Sequence, residues 1–283
     1  MIKTLLKGIV IGIANIIPGV SGGTMAVSLG IYDKLIHAIT HIVKEFKESV
    51  KTLFPILLGA VLGIGALSFV INFLFKVYPV QTNFLFIGLI LGGLPIILNL
   101  LKSTGKKVNV GNGIAFLAFF ALVVGMAAVG EAEGSAADVS FNLINVIKLF
   151  LVGVIASATM IIPGVSGSMV LMILGYYTTI VETITLFIKA ALSFDINGMM
   201  QGVSILFPFG IGVLVGIGVI AKIIEIIFIK APNYAYCAIL GLVIASPIAI
   251  ILISDLSKYN VISVLTGCIT FAVGFYIASK LAD

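Results

Sequence analysis

Apolar residues run through this chain in long blocks joined by short polar links, and the blocks are of two kinds. Those at 54–75, 84–101 and 113–130 in the first half, and at 205–229, 234–253 and 261–279 in the second, are each long enough to span a bilayer with some tilt. The block from Leu5 to Ile17 has only thirteen residues, about 20 Å of helix, short of the roughly 30 Å hydrocarbon core. It is interrupted by Asn15-Ile16-Ile17-Pro18-Gly19-Val20-Ser21-Gly22-Gly23-Thr24 and resumes as Met25 to Ile31. The block beginning at Phe141 is interrupted in the same way by Thr159-Met160-Ile161-Ile162-Pro163-Gly164-Val165-Ser166-Gly167-Ser168.

Both interruptions share Ile-Ile-Pro-Gly-Val-Ser-Gly, 145 positions apart. Proline removes a backbone donor and clashes with the preceding turn, and glycine frees φ, so neither copy is expected to continue as a straight helix. Amides freed in hydrocarbon cost several kcal/mol each unless they line a cavity or find a partner. Apolar segments broken twice, at matching places, point to a membrane transport site. After the first break, Leu35, Ile36, Ile39, Ile42, Val43, Phe46 and Val50 recur at helical spacing opposite Lys34, Lys44, Lys47 and Lys51. That pattern predicts a helix over 33–53 that leaves the membrane and lies along its surface.

The repetition extends beyond the breaks. Gly8, Gly30 and Tyr32 match Gly153, Gly175 and Tyr177 at an offset of 145; Pro55, Gly59, Gly63, Pro79 and Gly88 match Pro208, Gly212, Gly216, Pro232 and Gly241 at 153; Gly125 matches Gly274 at 149. The expected organisation is a first repeat over 1–138, with a hairpin at 3–42 and three spans, and a second over 139–283, with a hairpin at 141–191 and three more. The acidic, small-residue stretch Glu131 to Asn142 is the expected linker. Lysine placement decides whether the hairpins cross or return. If both return, twelve of sixteen lysines face the cytoplasm; if both cross, seven do, so return is favoured. Three spans per half is an odd number, which inverts the second half. The sequence thus predicts an all-α polytopic membrane protein, an inverted repeat in which each half is a re-entrant helical hairpin plus three transmembrane helices.

Composition agrees. The chain is 61% hydrophobic and 10% charged, where a soluble domain carries about 25% charged residues. Its net charge of +5 reads as membrane topology and gives no expectation of a nucleic-acid partner. Every basic residue is lysine, so no bidentate guanidinium clamp on an anion exists. Lys3 and Lys7 before an apolar run resemble a signal peptide, but no small-x-small site follows and the pattern recurs mid-chain. Cys237 and Cys268 lack CxxC spacing and read as packing residues.

The candidate site follows from the breaks. The second leg of each hairpin starts near Gly22 or Gly167, where unpaired N–H groups and the positive end of the helix dipole would face an anion. Ser21 and Thr24 in one copy, Ser166 and Ser168 in the other, add hydroxyl donors around Gly22, Gly23 and Gly167. Asn15 and Thr159, just before the two prolines, either bind the same anion or satisfy carbonyls that proline frees. Lys222 and Glu225, three apart in an apolar run, share a helix face and are candidates for ion coupling, as are Glu182 and His37, which match at offset 145. His37 and His41 have metal-binding i,i+4 spacing, but the glutamate of HExxH is absent and no third ligand is evident, so no metal is expected. No Ser-His-Asp set or poised carboxylate pair appears, so neither an enzyme nor a cofactor is expected.

The duplicated Pro-Gly-Val-Ser-Gly, followed by Gly30-Ile31-Tyr32 and Gly175-Tyr176-Tyr177, resembles the polyprenyl-phosphate transporter family (PopT) of bacteria and archaea over essentially the whole chain. The second copy departs in having Ser168 and Met169 where the first has Gly23 and Thr24. The resemblance implies a multi-pass protein of the cytoplasmic membrane. It also implies a flippase that returns undecaprenyl phosphate, the lipid carrier of cell-wall precursors, from the outer to the cytoplasmic leaflet; the ionisable residues named above make H+ or Na+ a candidate coupling ion. The residues alone also allow a channel or ion-coupled carrier for a small soluble anion, and leave an intramembrane phosphatase or protease as a third reading.

Overall fold

The computed structural model describes residues 2–15, 20–129, 139–140 and 142–282. The expected linker at 131–142 therefore lies largely outside the described residues. Among these residues the chain is all-helical, and seven helices are long and apolar enough to cross a membrane. The protein is a multi-pass membrane protein.

The element order repeats. The first series is α1 (Ile2–Ala14), α2 (Gly22–Ser28), α3 (Tyr32–Thr40), α4 (Phe46–Val77), α5 (Pro79–Leu91), α6 (Leu94–Ser103) and α7 (Val110–Val129). The second is α8 (Leu143–Ile161), α9 (Gly167–Ile173), α10 (Tyr177–Leu192), α11 (Ile196–Lys230), α12 (Pro232–Ile253) and α13 (Val261–Ala282). A 3-10 turn at Leu256–Lys258 joins the last two. Helices α2 and α9 lie 145 positions apart and have seven residues each. Helices α5 and α12 both begin with proline, whose fixed φ suits the first helical position and whose missing N–H is not needed there. Pro55 and Pro208 lie inside α4 and α11, as membrane helices tolerate.

Three features depart from the hydropathy reading. The amphipathic stretch after the first break is not one surface helix: it stops at Thr40, turns through 41–45 and restarts at Phe46 as the first turns of the 32-residue α4. The apolar block 84–101 is split at Gly92-Gly93, whereas its counterpart α12 runs unbroken, because Ala245-Ser246 stand where the glycine pair would be. Helix α8 has 19 residues, about 28 Å, and is long enough to cross alone, which the 13-residue α1 is not. The α9–α10 pair bends by 109°.

The chain divides into two compact units. One comprises residues 1–130, 162–165 and 221–283; the other comprises 131–161 and 166–220. In each, the first long helix of a repeat packs on the fourth through glycines. In the larger unit Gly8 and Gly12 of α1 abut the backbones of Ile56 and Ala60, while Gly59 and Gly63 of α4 abut those of Leu5 and Ile9. In the smaller, Gly153 abuts Phe209, Gly212 abuts Phe150 and Gly216 abuts Val154, the same scheme displaced by the two offsets. Lipid offers no hydrophobic drive between helices, so close backbone approach and the dispersion it permits hold these pairs.

The larger unit also contains an exchange. Helix α5 of the first repeat packs on α13 of the second, with Gly88 against Phe271, and α12 of the second packs on α7 of the first, with Gly241 against Phe116. The paired rings Phe116–Phe120 and Phe271–Phe275 sit at equivalent places, 6.0 and 6.2 Å between centroids. This packing matches Phe116 with Phe271, 155 positions apart, and replaces the offset of 149 that aligned Gly125 with Gly274. Indeed Gly274 abuts Leu85, while Gly125 has no close neighbour.

Candidate functional site

In the larger unit the first break is enclosed. Every residue of α2 is buried, and the helix packs against α5, α6 and α12 as well as its chain neighbours. That approach depends on Gly93, where a Cβ would run into the backbone of Ser28. The Ser28 hydroxyl donates to the Ile90 carbonyl at 3.1 Å, in the turn before the Gly92-Gly93 break. At the other end of α2, Ser21 is an extended N-cap whose Oγ accepts the Gly23 N–H at 3.2 Å. The Gly22 N–H donates to Asn15 Oδ1 at 3.2 Å, and Asn15 Nδ2 donates to the Ile11 carbonyl at 3.1 Å. Asn15 therefore stitches α1 to α2, and two amides that the sequence left open to a ligand have protein partners. With fewer than two turns, α2 and α9 also have little macrodipole, so local donors carry any anion affinity.

Thr24 makes the contact that sequence reasoning missed. Its side chain has no exposed surface, and its Oγ1 accepts the Gly164 N–H at 2.7 Å. Gly164 belongs to the second Pro-Gly-Val-Ser-Gly, and its φ of +78° is one that glycine adopts without strain. A Cβ there would press on Val123 and Leu242, members of a cluster with Ala127, Ala245 and Ala249. The two copies of the motif thus meet inside one unit, hydroxyl to amide.

The rest of the second copy lies in the smaller unit and is more open. Ser166 is an extended N-cap that accepts the Met169 N–H at 3.4 Å, leaving the Gly167 and Ser168 amides outside the cap. Its Oγ lies 2.9 Å from the exposed Ser168 Oγ. Thr159 Oγ1 donates to the Ala156 carbonyl at 2.7 Å, within its own helix. At the 145-residue offset Asn15 corresponds to Met160, which has no hydrogen-bonding counterpart to offer and is exposed. The half-sites are accordingly unequal.

The coupling candidates separate. Glu182 is exposed on α10, in the smaller unit. In the larger unit, Glu225 sits at the centre of a cluster. Lys222 donates to its Oε2; Thr40 Oγ1 donates to its Oε1 at 3.1 Å; His41 Nδ1 and His37 Nδ1 lie 3.3 and 3.7 Å from that oxygen. The two imidazoles stack, 4.1 Å between centroids, and His37 Nε2 is 3.3 Å from Glu45. Glu45 escaped the sequence reading, although its place four residues after His41 continues the His37–His41 interval. Beside this cluster, burial pushes the Asp33 carboxyl above its usual range, opposed by a long 3.5 Å hydrogen bond from the Tyr236 hydroxyl. Lys7 also differs from expectation: it is buried, and its ammonium donates to the Leu29 carbonyl at the C-cap of α2, at 2.8 Å. The ammonium thereby satisfies a carbonyl left without an intrahelical partner at the helix end.

A family model described as undecaprenyl phosphate translocase-like matches residues 11–207. A polyprenyl-phosphate transporter of Staphylococcus aureus (strain NCTC 8325 / PS 47) is 32% identical over 284 residues, covering 98% of this chain and 94% of that protein. A polyprenyl-phosphate transporter of Vibrio cholerae serotype O1 is 30% identical over 215 residues, covering 71% of this chain and 66% of that protein. No solved structure matches the chain.

Proposed function

The chain belongs to the undecaprenyl phosphate translocase-like family, and we propose that it transports a polyprenyl phosphate across the cytoplasmic membrane. In this reading undecaprenyl phosphate moves from the outer to the cytoplasmic leaflet, for reuse as the lipid carrier of envelope synthesis, and the protein catalyses no covalent step. The observation that carries the reading is the bond between Thr24 and Gly164, which ties together two copies of a helix-breaking motif. In this reading the irregular backbone at the breaks supplies the donors that a charged head group needs, since none come from arginine.

Each break supplies one cradle. The first is built from Ser21, Gly22, Gly23 and Thr24, with Asn15 holding its shape; the second from Ser166, Gly167 and Ser168, with Thr159 in the helix before it. A capping hydroxyl that accepts a backbone N–H still carries its own proton, so Ser21 and Ser166 can each donate to a phosphate oxygen. The polyprenyl tail stays in lipid throughout, since moving it into water costs about 0.8 kcal/mol per CH₂. Only the head group then has to be carried. A proton or sodium ion is the driving ion in this proposal, handled by Glu225 with Lys222 and His37, and by Glu182.

Ser21→Ala combined with Ser166→Ala removes two charge-assisted donors, each worth roughly 1.5–3 kcal/mol. Movement of undecaprenyl phosphate between leaflets of proteoliposomes should fall about tenfold or more at unchanged expression. Parallel vesicles report chloride flux. Rapid chloride movement without movement of the lipid phosphate rejects the proposal and makes the protein an anion channel.

A further inference from the structure

We propose that His37, His41 and Glu45 bind a divalent transition-metal ion, with Zn²⁺ the fitting representative, and that Glu225 orients the two imidazoles for it. Each of the three residues offers one ligand atom, and these atoms all lie within 4.8 Å of one another. Around a zinc ion with bonds of about 2.0–2.2 Å, tetrahedral ligands stand about 3.4 Å apart. His37 Nε2 and Glu45 Oε2 are already 3.3 Å apart, and the others need only side-chain adjustment.

The orienting group is in place. Glu225 Oε1 lies 3.3 Å from His41 Nδ1 and 3.7 Å from His37 Nδ1, and His41 Nδ1 is also 3.0 Å from Thr40 Oγ1 and 3.2 Å from the His37 carbonyl. A carboxylate this close to both Nδ1 atoms, together with the His37 carbonyl beside His41 Nδ1, favours the tautomers that keep the proton on Nδ1 and leave Nε2 free to bind a metal. Glu225 is in turn held by Thr40 and Lys222, so it does not follow the metal. Its side chain is mostly buried, whereas those of His37 and Glu45 are about half exposed, so the orienting group lies inside and the ligands outside.

An entry path exists. A cavity of about 310 Å³ is lined by Asp33, His37, Glu45 and Glu48, together with Lys34. Glu48 pairs with Lys51 at 3.8 Å, which leaves Asp33 and Glu45 against Lys34 and still favours a cation there. Two imidazoles and a carboxylate suit zinc and its neighbours, and disfavour magnesium and calcium, which take all-oxygen shells. Three protein ligands leave one position for water. The ligands come from α3 and the turn after it, in the first repeat, while Glu225 comes from α11, in the second. The ion is held by the first repeat alone, and the second repeat reaches it only through Glu225.

The test uses the full chain in detergent, with any affinity tag removed, titrated with Zn²⁺ against a chromogenic chelator. One equivalent should bind, and Glu45→Gln, an exposed change, should weaken binding tenfold or more without altering the elution profile. Glu225→Gln should weaken it by about 10–100-fold through orientation alone. Co²⁺ in place of Zn²⁺ should give the strong visible bands of four-coordination. Equal binding by the wild type and by His37→Ala/His41→Ala/Glu45→Gln overturns the site, as does an unchanged affinity in Glu45→Gln. Displacement by equimolar Ca²⁺ overturns the metal class. None of these readouts depends on transport, so the site and the proposed function stand or fall separately.

Discussion

Thr24→Val tests the joint between the two breaks. Valine keeps the shape of threonine but replaces the hydroxyl by a methyl, so the Gly164 N–H loses its 2.7 Å acceptor while packing is nearly preserved. A buried donor left without a partner costs about 1–3 kcal/mol, and more where no water can reach it. With RT near 0.6 kcal/mol, that range lowers the ratio of joined to separated breaks by roughly 5–150-fold. The expected result is a loss of hydrogen-exchange protection at the Gly164 amide within that range. A parallel fall should appear in polyprenyl phosphate movement in proteoliposomes. Thr24→Ser restores the acceptor and should recover most of both. The neighbouring Val123 and Leu242 are untouched, so the protein should still be monodisperse. Unchanged protection in a folded Thr24→Val protein would refute the view that this bond holds the breaks together.

Two further outcomes are expected. Removing Lys222 alone, as Lys222→Met, should harm transport less than Glu225→Gln. Glu225 keeps Thr40 and His41 when the lysine goes, whereas loss of the carboxylate removes the one group that Lys222, Thr40 and His41 all contact. If Glu225 handles the driving ion, as proposed, the double variant should stay as impaired as Glu225→Gln, whereas recovery of transport in the double variant would show that the pair is only structural. For topology, cysteines placed at Lys47 and Lys106 in a background lacking Cys237 and Cys268 should react only with reagent on the cytoplasmic side, and one at Lys258 only from outside. Reaction of positions 47 and 258 from the same side rejects inversion of the second half.

Membrane residence, the duplication and the location of both breaks were legible in the sequence. Each depends on local or additive physics: hydropathy summed over a block, proline's missing N–H and glycine's free φ. The starts of α5 and α12 at Pro79 and Pro232 are decided by the same local rule. The split at Gly92-Gly93 was open to the same reasoning, since Ala245-Ser246 preserve the helix in the other copy.

Only the tertiary structure decided what the polar groups do. Asn15 bonds the Gly22 amide seven positions on, a contact that neither residue's chemistry fixes alone. Thr24 and Gly164 are 140 positions apart, and no spacing rule couples them. Glu225 gathers Thr40, His37 and His41 from a region 185 or so residues earlier, and turns an unremarked Glu45 into a neighbour of a histidine pair. The exchange of α7 and α13 between repeats likewise reset the offset of the last helices from 149 to 155. In an apolar medium every polar group must find a partner, and which partner is within 3 Å depends on how the helices pack, not on their order along the chain.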